Sequence, residues 1–172
     1  MNKVIIIRYC EIYLKKKNRG YFERLLADNI KNSLKGIPHK FVRIPSRYLI
    51  ENFSEDNYDE IVSRLQKVSG VHTISPAILV KNDKDEIYKT AISLCDGKTG
   101  TFKVETNRAD KTFPMRSVDL SRDLGGEILS RYGKYLSVKI KNPDFTVSID
   151  IRESGDTLIY TDIISLWHSI IF

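Results

Sequence analysis

The first 75 residues switch back and forth between strand-like and helix-like hydrophobic spacing, and that order leaves few folds open. Residues 3–9 are a short run dominated by Val4, Ile5, Ile6 and Ile7, the composition of a buried strand. Phe22, Leu25, Leu26, Ile30 and Leu34 then recur at three- and four-residue spacing, which predicts one apolar helix face. Gly36 and Pro38 supply the stop. Residues 41–44 and 47–50 read as two strands around the turn Pro45-Ser46. A second helix takes Tyr58, Ile61, Val62 and Leu65 as its apolar face, with Asp59 and Glu60 favourably placed at its positive end. Ser69-Gly70 breaks it, and residues 71–74 begin another strand.

Strand, helix, strand, strand, helix, strand is the order of a ferredoxin-like unit. The pattern restarts after Pro76. A helix is predicted from Asp83 to Leu94, with Ile87, Ala91, Ile92 and Leu94 near one side. Residues 100–106 follow as a strand, with Phe102 and Val104 on one face and Lys103 and Glu105 on the other. Ser117 is placed to cap a helix running through Leu120, Leu124, Ile128 and Leu129 to Gly133. Residues 135–140, 145–151 and 157–163 read as three final strands, with turns at Asn142-Pro143-Asp144 and Ser154-Gly155-Asp156. The expected class is α+β, in a domain at 1–75, a second at 76–164 and an apolar tail at 165–172. That tail, from Ser165 to Phe172, either favours self-association or packs back onto the second sheet.

No run approaches the roughly 18 apolar residues that span a bilayer, and the short N-terminal run is no signal peptide, so a cytoplasmic protein without a membrane partner is expected. Cys10 and Cys95 fit no metal or redox spacing and read as reduced thiols. Charge is unevenly divided. Residues 1–73 hold 14 Lys and Arg against 8 Asp and Glu, and the rest hold 14 of each, which suggests an anionic partner.

Catalytic constellations are missing from the pattern. There is no phosphate-binding Gly-rich loop, the three histidines are scattered, and no nucleophile pairs with a base, so no catalytic and no metal-ligating residue is assigned. The stretch that stands out is residues 102–117. It places Lys103 on a strand, then Asn107, Arg108, Lys111 and Arg116 around Phe113, just ahead of a helix start. Lys and Arg neutralise phosphates, and the free N–H groups of a helix N-terminus add a positive pole. Phe113 either offers a face for base stacking or fills the core, and the residues leave both open. Gly125-Gly126 lowers helix stability by about 0.5–1 kcal/mol per glycine relative to alanine, a loss that close backbone approach, to a neighbouring strand or to RNA, would explain.

At these residues the sequence resembles a known family. Phe102-Lys103-Val104, Thr106, Arg108, Lys111 and Phe113-Pro114, followed by Ser117, Leu120 and Leu124-Gly125-Gly126, are similar to the centre of a THUMP domain from tRNA 4-thiouridine synthetases. Arg8-Tyr9, Glu11-Ile12, Leu14-Lys15 and Asn18-Arg19 resemble the start of that family's ferredoxin-like domain. Asn142-Pro143-Asp144, Val147 and Ile151-Arg152-Glu153 resemble its late THUMP strands. The sequence departs from the family at Cys10 and Lys16, where glycines are usual, and after Ile164, where the family continues into a PP-loop domain containing Ser-Gly-Gly-x-Asp-Ser.

The resemblance implies an N-terminal ferredoxin-like domain followed by a THUMP α/β domain, both holding the acceptor stem and 3′ end of tRNA. Uridine 8 would be thiolated by a PP-loop domain, with ATP and Mg there and no cofactor in these residues. It also implies a homodimer. By position it assigns RNA contacts to Lys103, Asn107, Arg108, Lys111, Phe113 and Arg116, with Lys15, Lys17 and Arg19 behind them and Arg122 adding a phosphate contact. Two alternatives stay open: a THUMP subunit serving a separately encoded PP-loop or other catalytic subunit, and a non-catalytic α+β interaction protein.

Overall fold

The computed structural model describes residues 2–9 and 18–165. The expected contacts Lys15 and Lys17, and the tail from Leu166, lie outside the described residues. The chain packs as two units. Among the described residues, one comprises residues 3–9, 18–76 and 163–165; the other comprises residues 77–162 with Asn2.

In the first unit β1 (Asn2–Tyr9), α1 (Arg19–Ser33), β2 (Lys40–Ile44), β3 (Arg47–Glu51), α2 (Tyr58–Gln66) and the start of β4 (Val71–Lys81) follow the expected order. The strands lie β2-β3-β1-β4, with Ile50 opposite both Ile5 and Phe41. Ser46 takes φ 63° at the β2–β3 turn. Ile5, Ile7, Leu26, Ile30, Leu34, Tyr48, Ile61 and Leu65 form the core. The predicted face of α1 is corrected in part. Phe22 and Leu25 are exposed and Ala27 takes their place, because at about 100° per residue Leu25 falls well to the side of the Leu26–Ile30–Leu34 line.

The two units divide between Pro76 and Ala77, although β4 itself runs through the proline without interruption. Proline donates no ladder hydrogen bond. Here it sits between the pairing of Thr73 and Ile74 with β9 (Ile164–Ser165) and the pairing of residues 78–81 with β8 (Asp156–Tyr160). The last predicted strand therefore ends at Tyr160 rather than Ile163. Asp162 reaches Lys98 at 3.0 Å, and Ile163 and Ile164 group with the first unit, not with the second as the 76–164 division had them.

The second unit adds α3 (Lys84–Leu94), β5 (Gly100–Arg108), α4 (Ser117–Tyr132), β6 (Leu136–Val138) and β7 (Phe145–Ile151). Its strand order is β4-β8-β7-β5-β6, with β5 parallel to both neighbours and β7–β8 antiparallel. β6 and β7 therefore form no hairpin, since β5 lies between them. Phe102, Val147, Ile149, Ile151 and Ile159 share one sheet face by register, and Ile87 and Ala91 of α3 with Leu120, Leu124 and Ile128 of α4 pack onto it. Ser117 is the first residue of α4, not its cap. The extended residue ahead of the helix is Arg116, and no side chain caps the first turn.

Candidate nucleic-acid interface

β5 divides the expected contacts between two faces. It extends to Arg108, so Asn107 and Arg108 belong to the strand and not to the loop. Successive side chains point to opposite faces. Val104, Thr106 and Arg108 face α4 and the loop before it: the Thr106 and Ser121 hydroxyls share a 2.8 Å hydrogen bond, and Arg108 donates from Nη1 to the Phe113 carbonyl at 2.8 Å. Lys103 and Asn107 point the other way. Lys103 pairs with Glu105 at 3.1 Å, and the Asn107 amide approaches the Asp150 carboxylate at 3.5 Å. Lys103 and Asn107 are thus separated from Arg108, Lys111 and Arg116 by the sheet itself.

Beyond Arg108 the chain folds back tightly. Ala109 and Asp110 both donate backbone N–H groups to the Ile151 carbonyl at the end of the parallel neighbour β7. The Asp110 carboxylate accepts from the Thr112 hydroxyl and backbone N–H and from the Asn82 amide at 2.8 Å. Those bonds, the Thr112 hydroxyl foremost, hold its carboxyl below the ordinary range. Asn82 also donates to the Arg152 carbonyl and accepts from Thr157, so one side chain ties together the ends of β4, β5 and β7 and the start of β8. Lys111 is exposed and donates to the Arg108 carbonyl at 3.1 Å.

Phe113 is not available for stacking. It is 4% exposed and belongs to the core, because the Arg108 guanidinium and the Asp110 carbonyl both hold its backbone inward. Arg122 is exposed but lines a groove of about 590 Å³ with Lys84 and three carboxylates, Asp119, Asp123 and Glu127. Asp119 is paired with Arg116 and Asp123 lies 3.9 Å from Lys84, so the groove around Arg122 is of mixed charge. What remains on the segment from the end of β5 to the uncapped start of α4 is Arg108, its guanidinium on the Phe113 carbonyl, with Lys111 and Arg116 exposed, the last paired with Asp119 at 3.0 Å, all at the carboxyl ends of the parallel strands. Cationic side chains beside free helix N–H groups suit a phosphate.

In the first unit Arg19 opens α1. It reaches Glu23 at 2.8 Å and Ser46 at 3.2 Å, and Arg43 lies 3.9 Å from the same carboxylate. Two guanidinium groups sharing one carboxylate leave a local excess of positive charge. Asn82 was not singled out from the sequence, because its importance depends on β5 and β7 lying side by side. Among the described residues no three His, Cys, Asp or Glu side chains converge as metal ligands, and no helix is long and apolar enough to cross a membrane.

A family model of the ThiI ferredoxin-like domain matches residues 4–75, and one of the THUMP domain matches residues 81–162. A probable tRNA sulfurtransferase from Clostridium perfringens is 40% identical over 164 residues, which are 94% of this chain and 41% of that protein. The chain therefore spans less than half the length of the curated relatives it matches. Among solved structures, a 4-thiouridine synthetase in complex with RNA and bound ATP superimposes with a TM-score of 0.80 at 32% identity, over 97% of this chain and 42% of that one. A protein from Pyrococcus horikoshii superimposes with a TM-score of 0.78 at 30% identity, over 97% of this chain and 56% of its own. Over residues 4–75 and 81–162 the chain belongs to the ThiI ferredoxin-like and THUMP domain families.

Proposed function

We propose that this chain is the tRNA-binding part of a 4-thiouridine-forming sulfurtransferase. It holds the acceptor stem and 3′ end so that a PP-loop domain, outside these 172 residues, thiolates uridine 8 with ATP and Mg. The observation that carries the reading is the cationic group Arg108, Lys111 and Arg116 at the uncapped start of α4, in a chain whose relatives bear the name tRNA sulfurtransferase. Arg19 with Arg43 in the first unit supplies a further phosphate-binding group. Lys103 and Asn107, on the other face of β5, belong to a different part of the surface and are secondary on this reading.

Mobility-shift titrations with tRNA over a range of salt test the binding. The expected result is a log K that falls linearly as log[salt] rises. An affinity unchanged in Lys111→Ala, Arg116→Ala counts against this surface. The finer claim is tested by the 4-thiouridine content of tRNA from a strain deleted for this chain, where an undiminished content removes thiolation. The reading also carries a homodimer, checked by sedimentation of the purified chain.

A further inference from the structure

Residues 131–141, which close α4 and form β6, contain Arg131, Lys134, Lys139 and Lys141 and no carboxylate. The same segment holds three of the most exposed large apolar side chains in the described structure: Tyr135 at 63%, Val138 at 46% and Ile140 at 70%. Tyr135 is fixed in place although its ring is in solvent. Its N–H donates to the Tyr132 carbonyl and its own carbonyl accepts from the Gly100 N–H, both at 2.9 Å. Lys139 is likewise anchored through its N–H to the Phe102 carbonyl at 2.9 Å. The nearest carboxylate outside the segment is that of Asp144, which accepts the Thr101 N–H and lies within electrostatic reach of Lys139, one negative charge against the four cations of the segment. β6 is the last strand of its unit's order, so this segment borders no further described strand.

A backbone-anchored, exposed aromatic ring on a segment rich in lysine suits base stacking with phosphate contacts along the same segment. We propose that Tyr135, with Lys134, Lys139 and Lys141, binds unpaired RNA by stacking a base on the tyrosine ring. This rests on the RNA-binding reading above and adds a second contact surface to it. From Gly100, beside β6, to Arg108, β5 advances about 26 Å at roughly 3.3 Å per residue. One folded RNA reaching both ends would meet duplex-type phosphate contacts at Arg108, Lys111 and Arg116 and a stacking contact at Tyr135. The excess of positive charge in residues 131–141 favours an anionic polymer over an apolar protein partner.

The test is an anisotropy titration of the full chain with a labelled tRNA transcript and with a short single-stranded RNA. Tyr135→Ala, and separately Lys139→Ser with Lys141→Ser, are expected to weaken single-stranded RNA about tenfold, while Tyr135→Phe retains wild-type affinity because it keeps the ring. Wild-type affinity in Tyr135→Ala, alongside weakened binding in Lys111→Ala, Arg116→Ala, overturns this proposal and leaves the first reading standing. No RNA binding by the wild-type chain at low salt overturns both. If the Tyr135 and lysine variants change only sedimentation and not RNA affinity, the surface is a protein interface and the proposal fails.

Discussion

The two ends of β5 solve opposite problems. At its start, Gly100 adopts φ 105° against the Asp144 carboxylate, which accepts the Thr101 N–H at 2.8 Å while Asp144 donates its own N–H to the Thr101 hydroxyl. Fixed geometry is concentrated there. At its far end, Arg108, Asp110 and Asn82 tie down a loop whose remaining cations, Lys111 and Arg116, stay exposed beside an uncapped helix start. The difference teaches where rigidity is structural and where it serves to present charge. In open sheets with parallel strands, ligands collect at the carboxyl ends because helices begin there.

The largest expected effect separates the ends by stability. An added Cβ at Gly100 would collide with the Asp144 carboxylate and occupy the left-handed region, so Gly100→Ala should cost about 2 kcal/mol or more in urea unfolding. A loss below about 0.5 kcal/mol would show that this end is not constrained as described. Next, Lys111→Ala, Arg116→Ala should weaken tRNA about tenfold, roughly 1.4 kcal/mol, and flatten the salt slope while leaving the unfolding midpoint nearly unchanged.

A smaller effect sits between the ends, in α4. A Cβ at Gly125 would lie 3.9 Å from Val104 and one at Gly126 would meet open space, so strand packing does not explain the glycine pair. Gly126→Ala should therefore raise stability by about 0.5–1 kcal/mol. Because the added methyl removes no charge from the groove beside it, lined by Lys84 and Arg122 as well as Asp119, Asp123 and Glu127, RNA affinity should not change; a marked loss would make that groove a contact.

The smallest effect is acid sensitivity at both ends. Asp110 and Asp144 titrate below the ordinary carboxylate range, held there chiefly by Thr112 and Thr101 respectively. Their contribution is present above the unfolded value, about 3.9, and is lost as pH falls through the depressed folded values. Asp110→Asn and Asp144→Asn should each shallow the acid limb of stability as pH falls below about 4. Equal slopes in wild type and both variants would mean that neither carboxylate is held as the hydrogen bonds indicate.

Much of the fold was legible because the periods are local. The run Val4–Ile7, the Leu26–Ile30–Leu34 spacing and the turn at Asn142, with φ 50°, each reflect neighbouring residues and backbone sterics. Pro76 marks the division between the units without ending β4, because its missing donor matters only if a partner strand sits opposite, and the pairings of β4 leave it between two ladders. The end of the last strand was misjudged for the same reason, since Ile164 pairs with Ile74, 90 positions earlier in the chain.

By itself the sequence determined the α+β class, the order of elements and the concentration of cations around residues 103–116, because hydrophobic period and charge are properties of the chain. Only the tertiary structure decided which of those cations act together. A strand sends alternate side chains to opposite faces, so Lys103 and Asn107 part from Arg108. The core claims Phe113, and Arg122 lies in a groove of mixed charge with Lys84 of α3 and the α4 carboxylates Asp119, Asp123 and Glu127. Burial and through-space charge depend on what is brought alongside, and no local pattern records that.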